Sequence, residues 1–315
     1  MTLEELLAHH AQRPARSVPD WMLGYYKRRS ISFANGETDV RTHVCWLQSR
    51  NFTIDLRLPL KDRQAPARAL ADYSTHELQT LANYEGWEAL CDWDGEALSW
   101  HTETSLQVHN RWPEPALLKR IGNCMVEFAP SGAYVEDWRL QPSRPGALIG
   151  LRLLEERDLN THCVRHRGGG LIVCGDHAAL VLGRAEPIDA LETGASLRTL
   201  AAQAIGDAQR LAPLFDFETS VASGSLAQGF AISLSTRPAR LQQSLLPLDG
   251  FEFLAERQLV SQHLIIDGVP CERLFSIDTL EPQVHFEQST GFTPDAQAWF
   301  ERESQTLNRY TQPLS

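Results

Sequence analysis

Two stretches of this chain repeat the same pattern of strand, turn and strand. In the first, residues 44–49 lead into 52–59, and in the second, residues 126–131 lead into 134–140. The two copies lie 82 residues apart, and each ends in Asp-x-Arg-Leu. A repeated hairpin of this kind is typical of an antiparallel β fold built from similar units. The repeat therefore constrains the fold strongly, but it contains no motif that specifies a chemistry.

Short β-rich runs recur along most of the chain and are separated by tight-turn signals. Asn-Gly at 35–36 and Asp-Gly at 94–95 and 267–268 are typical of two-residue hairpins. Many short strands with regular spacing favour a closed or nearly closed barrel. We therefore predict a mainly β protein that begins with a lipocalin-like (calycin-type) antiparallel β-barrel.

The predicted organisation has three parts. Residues 1–27 form a helix and an arm, 28–186 form the barrel, and 187–315 form a second β-rich, barrel-like unit with flanking helices. Thr2 is the predicted N-cap of the first helix, with a glutamate three residues later as in a capping box. Thr293 is the predicted N-cap of a C-terminal helix that has proline in its first turn.

Composition excludes several classes of function. With 315 residues and a net charge of −11, the chain lacks the basic surface of a nucleic-acid-binding protein. Its polar N-terminus has no signal-peptide core, and no apolar run of membrane-spanning length occurs, so we expect a cytoplasmic protein without membrane contact. The six cysteines form no CxxC pair. We therefore expect buried thiols, no metal and no cofactor.

Three stretches taken together resemble a known family. They are 46–48 with 55–59, then 134–142, and then 170–174 with 182–184. In this order and spacing they resemble the fungal Hri-type proteins, a lipocalin-like family of two similar β-barrels. The resemblance covers about residues 28–185 and implies a fold. It brings no catalytic residue with it, because the family has no assigned activity.

The lumen of the predicted barrel is the default binding site. A barrel of eight strands either fills its interior with side chains or holds one small ligand. The chain contains eight tryptophans, which suit an apolar wall with a polar edge. We predict a lumen that binds a small apolar or amphipathic molecule. The proposed aromatic residues are Trp46, Trp87, Trp93, Trp100 and Trp138.

The repeated Asp-x-Arg units supply polar candidates. Strand alternation places Asp55 with Arg57, and Asp137 with Arg139, on one face of their strands. Arg57 and Arg139 are predicted to clamp a ligand, while the alternative interpretation is an intra-strand ion pair. Glu136 shares a face with Trp138 in the second copy. A carboxylate among aromatic rings has the environment of an acid–base catalyst.

Two histidines complete the candidate set. His101 and His109 lie on neighbouring strand-like runs and, with Glu103, could form a base and its orienting partner. Alternation with Leu98 and Trp100 places His101 and Glu103 on the outer face, which favours a structural interpretation. Glu136, His101 and His109 are therefore the predicted catalytic residues if the protein is an enzyme.

Three functions remain open from the sequence. The favoured one is a small-molecule-binding protein. The second is a non-metal isomerase, cyclase or hydratase that uses a carboxylate or histidine as acid and base. The third is a protein-interaction scaffold whose barrel is filled with side chains. The oligomeric state also remains open, with a homodimer as one option.

Overall fold

The computed structural model describes residues 1–109, 113–188 and 194–310. Within them the chain alternates short strands with tight turns, as predicted. The strands of the first half are β1 Gly24–Phe33, β2 Thr38–Asp39, β3 Thr42–Gln48, β4 Phe52–Pro59, β5 Glu85–Trp93, β6 Ala97–Ser105, β7 Ala116–Ile121, β8 Cys124–Phe128 and β9 Tyr134–Leu140. Those of the second half are β10 Gly146–Asp158, β11 Val164–Cys174, β12 His177–Arg184, β13 Glu218–Ser225, β14 Gly229–Ser235, β15 Phe251–Leu254, β16 Leu259–Ile266 and β17 Val269–Val284.

The first sheet closes into an antiparallel barrel. Its strands pair in the order β1-β3-β4-β5-β6-β7-β8-β9, and β9 pairs back with β1. The short β2 adds to the far end of β1. The closing ladder runs from Tyr26 opposite Leu140 to Phe33 opposite Tyr134. The prediction of a closed antiparallel barrel in a mainly β chain is confirmed.

The second sheet has eight strands in the order β14-β13-β12-β11-β10-β17-β16-β15. In the described part of the chain no ladder joins β14 to β15. The sheet nevertheless curls around its own apolar core, because Phe230 of β14 and Phe251 of β15 belong to one buried cluster. Leu3 and Leu6 of the N-terminal helix pack into the same cluster.

The change from one sheet to the other lies between Leu140 and Gly146. Strands β10 to β12, which the sequence placed in the first barrel, pair instead with the second sheet through β17. Local patterns could not reveal this, because the 16-residue β17 that pairs with β10 lies more than a hundred residues further along the chain. The limits 28–186 and 187–315 for separate folding units remain a prediction, since strand pairing does not define such units.

In the described residues the α-helices that flank the sheets are α1 Leu3–His9, α2 Thr75–Leu81, α3 Leu197–Gln203, α4 Ala208–Phe215 and α5 Pro294–Leu307. Thr2 caps α1 in a capping box with Glu5, and Thr293 caps α5, as predicted. The 197–211 region forms two short helices, because Gly206, with a positive φ of 83° that a helix interior does not allow, separates them.

A shared core joins the two sheets. Alternation along β4 sends Ile54, Leu56 and Leu58 outward, and all three are buried. They belong to the same cluster as Ile172 of β11 and Val181 of β12. The outer face of β4 therefore packs against the second sheet, which leaves its other face, with Asp55 and Arg57, directed into the first barrel.

Candidate functional site

The register of four neighbouring strands defines the interior face of the first barrel. Tyr26 lies opposite Trp46, Trp46 opposite Asp55, and Asp55 opposite Trp87. Directly paired residues point to the same side of a sheet. These side chains therefore all enter the lumen, and alternation adds every second residue on each strand.

Four indole rings meet inside the barrel. The ring centroid of Trp46 lies 5.2 Å from that of Trp138 and 5.6 Å from that of Trp100, and Trp100 lies 5.8 Å from Trp87. All three contacts are edge-to-face, the arrangement that aromatic quadrupoles favour. The Trp46 Nε1 donates to Gln48 at 2.9 Å. The structure thus brings together four of the five tryptophans proposed for the lumen.

Carboxylates converge on the same space. A cavity of about 30 Å³ remains among the side chains, roughly the share of one water molecule in the liquid. The lumen is thus aromatic but also charged and nearly filled, in contrast to the apolar hollow expected from the sequence. The lining side chains are Trp46, Asp55, Arg57, Glu85, Trp87, Trp100, Glu103, Ser105, Gln107, His109, Glu127, Tyr134 and Trp138.

Two glutamates face each other across β8 and β9. Glu127 and Glu136 are direct cross-strand partners, and both are buried. Glu127 accepts hydrogen bonds from the Tyr134 hydroxyl at 3.1 Å and from Trp138 Nε1 at 3.0 Å. Glu136 accepts from Arg28 Nη1 at 2.6 Å. Burial, together with the neighbouring Glu136 charge, holds the pKa of Glu127 well above its usual range, which favours the neutral acid.

Asp55 and Arg57 form a buried ion pair at the centre of this wall. Arg57 Nε donates to Asp55 Oδ1 at 2.9 Å. The intra-strand pair expected from the repeat therefore exists, but it faces the lumen. Burial raises the pKa of Asp55 to about 6, and the adjacent guanidinium limits that rise. The lumen thus contains carboxyl groups whose pKa values are raised to different extents, a common feature of acid–base sites.

Glu103 and His109 lie at the mouth of the barrel. Thr102 has a positive φ of 52°, which breaks the alternation of β6. Glu103 consequently lines the mouth, whereas the sequence placed it on the outer face. His109 also lines the mouth, and its Nε2 lies 3.1 Å from the carbonyl oxygen of Ala195. The last two positions of the strand predicted over Leu106–Arg111 lie outside the described residues.

Three proposed residues do not join the cluster. Arg139 lies on the outer face with Asp137, its partner at 2.7 Å, because alternation from Trp138 directs it away from the lumen. His101 is exposed and lies 3.6 Å from Asp92. Trp93 packs against Trp21, with ring centroids 5.8 Å apart, and does not line the cavity. Arg139 and His101 are therefore placed where they do not contact a ligand in the lumen.

Sequence reasoning missed several lumen residues. Glu127 could have been found, because a hairpin centred on Ser131 and Gly132 pairs it with Glu136. Arg28 could not, because its contact with Glu136 depends on the closure of β1 against β9. Glu85 could not be found either, because no local sequence pattern distinguishes it from a solvent-exposed glutamate.

The described residues contain no group of three His, Cys, Asp or Glu side chains arranged to hold a metal ion. All six cysteines are free thiols. Across the same described ranges, the helices are too short or too polar to cross a bilayer. Comparison with protein-family models and with curated proteins finds no match to this chain.

Proposed function

We propose that this protein binds a small organic molecule at the mouth of the first barrel, with a hydrogen-bond-donating group of the ligand directed at the lumen carboxylates. The observation that carries the proposal is the convergence of Asp55, Glu85, Glu103 and Glu127 on one aromatic cavity. Carboxylate oxygens accept hydrogen bonds, so they suit a hydroxyl or ammonium group.

The cost of burying Asp55 and Glu127, the two of these four groups that are buried, supports a functional role. Removing an ionised carboxylate from water costs several kcal/mol, by rough estimate, unless partners compensate for the loss of solvation. The chain uses apolar packing on the other face of β4, where Ile54 and Leu56 are fully buried. A barrel that served as a packed scaffold would be more stable with similar side chains inside. The retained carboxylates therefore favour recognition or catalysis.

The size of the cavity limits what can enter it. About 30 Å³ accommodates a single small group such as an ammonium or hydroxyl. The remainder of the ligand would lie outside, where Glu103 and His109 also line a groove that leads toward Arg184. The indole faces of Trp87 and Trp100 would contribute cation–π attraction to an amine.

Acid–base catalysis is a second candidate for the same cavity. Two carboxyl groups favour this role, because the lumen contains Glu127, whose raised pKa favours the neutral acid, together with Asp55, whose pKa is about 6. Such a pair suits a proton transfer in an isomerase, cyclase or hydratase, in which one group donates and another accepts. Incubation with 2-cyclohexenone in D₂O tests this role, because deuterium uptake at carbon reports proton transfer. Uptake by the wild type that Glu127→Gln does not reduce would contradict it.

The binding proposal is tested by isothermal titration with three probes of equal chain length: hexylammonium chloride, 1-hexanol and sodium hexanoate. We expect hexylammonium to bind most tightly and hexanoate not to bind. Glu103→Gln should weaken hexylammonium binding about tenfold, the equivalent of roughly 1.4 kcal/mol. Glu96→Gln is the matched control, because this carboxylate is 67% exposed on the turn between β5 and β6, at the opposite end of these strands from Glu103. Equal affinity for the ammonium and the carboxylate, or equal losses in the two variants, would refute the proposal.

A further inference from the structure

A second and larger cavity lies beside the first barrel. Its volume is about 770 Å³, within the range of roughly 300–1,000 Å³ that is typical of small-molecule sites. Leu70 and Tyr73 line one side, from the segment between β4 and β5. Phe215 and Phe217 line the other side, at the end of α4. We call this space the side cleft. None of these four residues lines the lumen cavity.

Arg184 is a partly buried cation that lines the side cleft. Its Nη1 donates to the carbonyl oxygen of Ser105 at 3.0 Å, and its Nη2 donates to those of Leu106 at 2.8 Å and Leu214 at 2.6 Å. Its guanidinium carbon also lies 5.5 Å from the ring centroid of Phe217. Within the described residues, all its hydrogen-bonding partners are neutral carbonyl groups.

The burial of Arg184 is incompletely compensated. Burial lowers the pKa of this guanidinium to about 10, and the charge of Asp216 opposes the shift. Asp216 nevertheless forms no ion pair of 4.0 Å or less with it among the described residues. Even a partly buried cation loses solvation, and a bidentate carboxylate partner would compensate for that loss.

The remaining charges of the side cleft also favour an anion. Arg68 and Arg237 line its rim, against the carboxylates of Glu186 and Asp216. Arg68 lies 3.6 Å from Glu77, and both of these partners are at least partly exposed. With Arg184, the lining carries three cations and two anions, so its net charge is positive although the whole chain has a charge of −11.

We propose that the side cleft binds an amphipathic anion, namely a medium-chain carboxylate. Its carboxylate lies at Arg184 and its hydrocarbon chain lies among Tyr73, Phe215 and Phe217. The apolar lining supplies burial for the chain, and the guanidinium supplies the specificity for the head group. Of the four residues assigned to this anion, Arg184 also lines the groove outside the barrel mouth. None of the four lines the lumen cavity, so hexylammonium binding at the lumen and decanoate binding at the side cleft are tested separately.

Two probes with the same ten-carbon chain test the head group: sodium decanoate and decyltrimethylammonium bromide, titrated into the full chain by isothermal calorimetry. We expect decanoate to bind with one site per chain and at least about tenfold more tightly, a difference of roughly 1.4 kcal/mol. Equal affinity of the two probes, or tighter binding of the cation, would overturn the proposal without any mutation.

Two substitutions of exposed alanines by tryptophan test the location of the site. Ala212 is exposed on α4 and lines the side cleft, so Ala212→Trp should fill it and weaken decanoate binding at least tenfold. Ala202→Trp is the matched control, because Ala202 is exposed on the neighbouring α3 and does not line the cleft. Ala212→Trp should leave hexylammonium binding unchanged. Unaltered decanoate binding in Ala212→Trp would place the anion elsewhere and refute the site.

Arg184→Gln tests the head-group contact directly. We expect a folded Arg184→Gln variant to lose the preference for decanoate over decyltrimethylammonium. A folded variant that kept the full preference would contradict the assignment of Arg184. Because Arg184 also binds three backbone carbonyl groups, circular dichroism must show that the variant is folded. If it does not fold, the comparison of the two probes on the wild type decides the proposal.

Discussion

Buried carboxyl groups also lie outside the lumen, and one of them, Glu88, is at the junction between the sheets. Glu88 projects from the outer face of β5, and Arg152 Nε of β10 donates to its Oε1 at 2.5 Å. Glu88 is fully buried, while the Arg152 side chain is 21% exposed. Burial raises the pKa of Glu88 to about 7, and the Arg152 cation limits the rise. The pair therefore joins the two sheets at an energetic cost that depends on pH.

The pH dependence of stability should reveal Glu88. Its folded pKa of about 7 exceeds the ordinary value of 4.5, so folding favours the neutral acid. This contribution is greatest below pH 4.5 and is lost as the pH rises to 7. The stability of Glu88→Gln relative to wild type should thus increase by about 3 kcal/mol between pH 4.5 and 8, as measured by urea unfolding. Glu96→Gln, which changes an exposed carboxylate, should show no such trend. A flat difference for Glu88→Gln would contradict the assignment.

At this same scale, alternation in the sequence explains part of the site. It correctly paired Glu136 with Trp138 on one face of β9, and it placed His101 on the outer face. It failed at Glu103, because the positive φ of Thr102 reverses the alternation and carries no clear sequence signal.

At the scale of elements, close backbone approach fixes how the two sheets pack. A Cβ atom added to Gly150 of β10 would lie 2.2 Å from Ser49 Oγ and 3.1 Å from the ring of Phe52. Ser49 cannot move freely, because its hydroxyl donates to Asp278 at 2.5 Å. The β3–β4 turn of the first barrel is thus seated directly on a glycine of the second sheet.

Gly150→Ala should weaken the contact between β10 and the β3–β4 turn. We expect it to destabilise the protein by about 1–3 kcal/mol, because the new methyl group overpacks the junction. Gly291→Ala is the matched control, since its added Cβ meets no atom within 4 Å. Denaturant unfolding of both variants measures the difference. If Gly150→Ala were as stable as Gly291→Ala, the sheets would not be in the tight contact described.

Element boundaries were largely accessible from sequence, while their partners were not. Turn signals and caps located most strands and the N-termini of α1 and α5. The short β7, Ala116–Ile121, was missed, and the predicted strand from Leu106 is absent over 106–109. Local propensity favours a strand there, but Leu106 and Gln107 are buried at the mouth and bind neighbouring segments, as in the bond from Gln107 to the Ala82 carbonyl.

For the whole molecule, the main consequence of the fold is that the largest apolar cluster is shared between the two sheets. The largest apolar cluster contains Ile54 and Leu56 of the first barrel with Ile172 and Val181 of the second sheet. Polar contacts reinforce the same junction, for example Arg50 with Glu281 at 2.8 Å. The two sheets should therefore unfold together.

Fragments test this interdependence. The pieces 1–144 and 145–315, divided in the connection between β9 and β10, should each fail to fold alone, because each exposes half of the shared core. The full chain should show one cooperative transition by circular dichroism and by tryptophan fluorescence. Cooperative unfolding of the isolated 1–144 piece would contradict this expectation. The sequence could not predict such interdependence, because the repeat suggests self-contained units.

The indole cluster has an optical consequence. Trp46, Trp87, Trp100 and Trp138 lie with neighbouring ring centroids less than 6 Å apart, so light absorbed by any one of them migrates readily among the four. Trp138 Nε1 donates a hydrogen bond to Glu127, so a change in that carboxyl group alters the surroundings of a fluorescent indole. The emission wavelength and fluorescence lifetime of this cluster should therefore report changes inside the barrel without an added label.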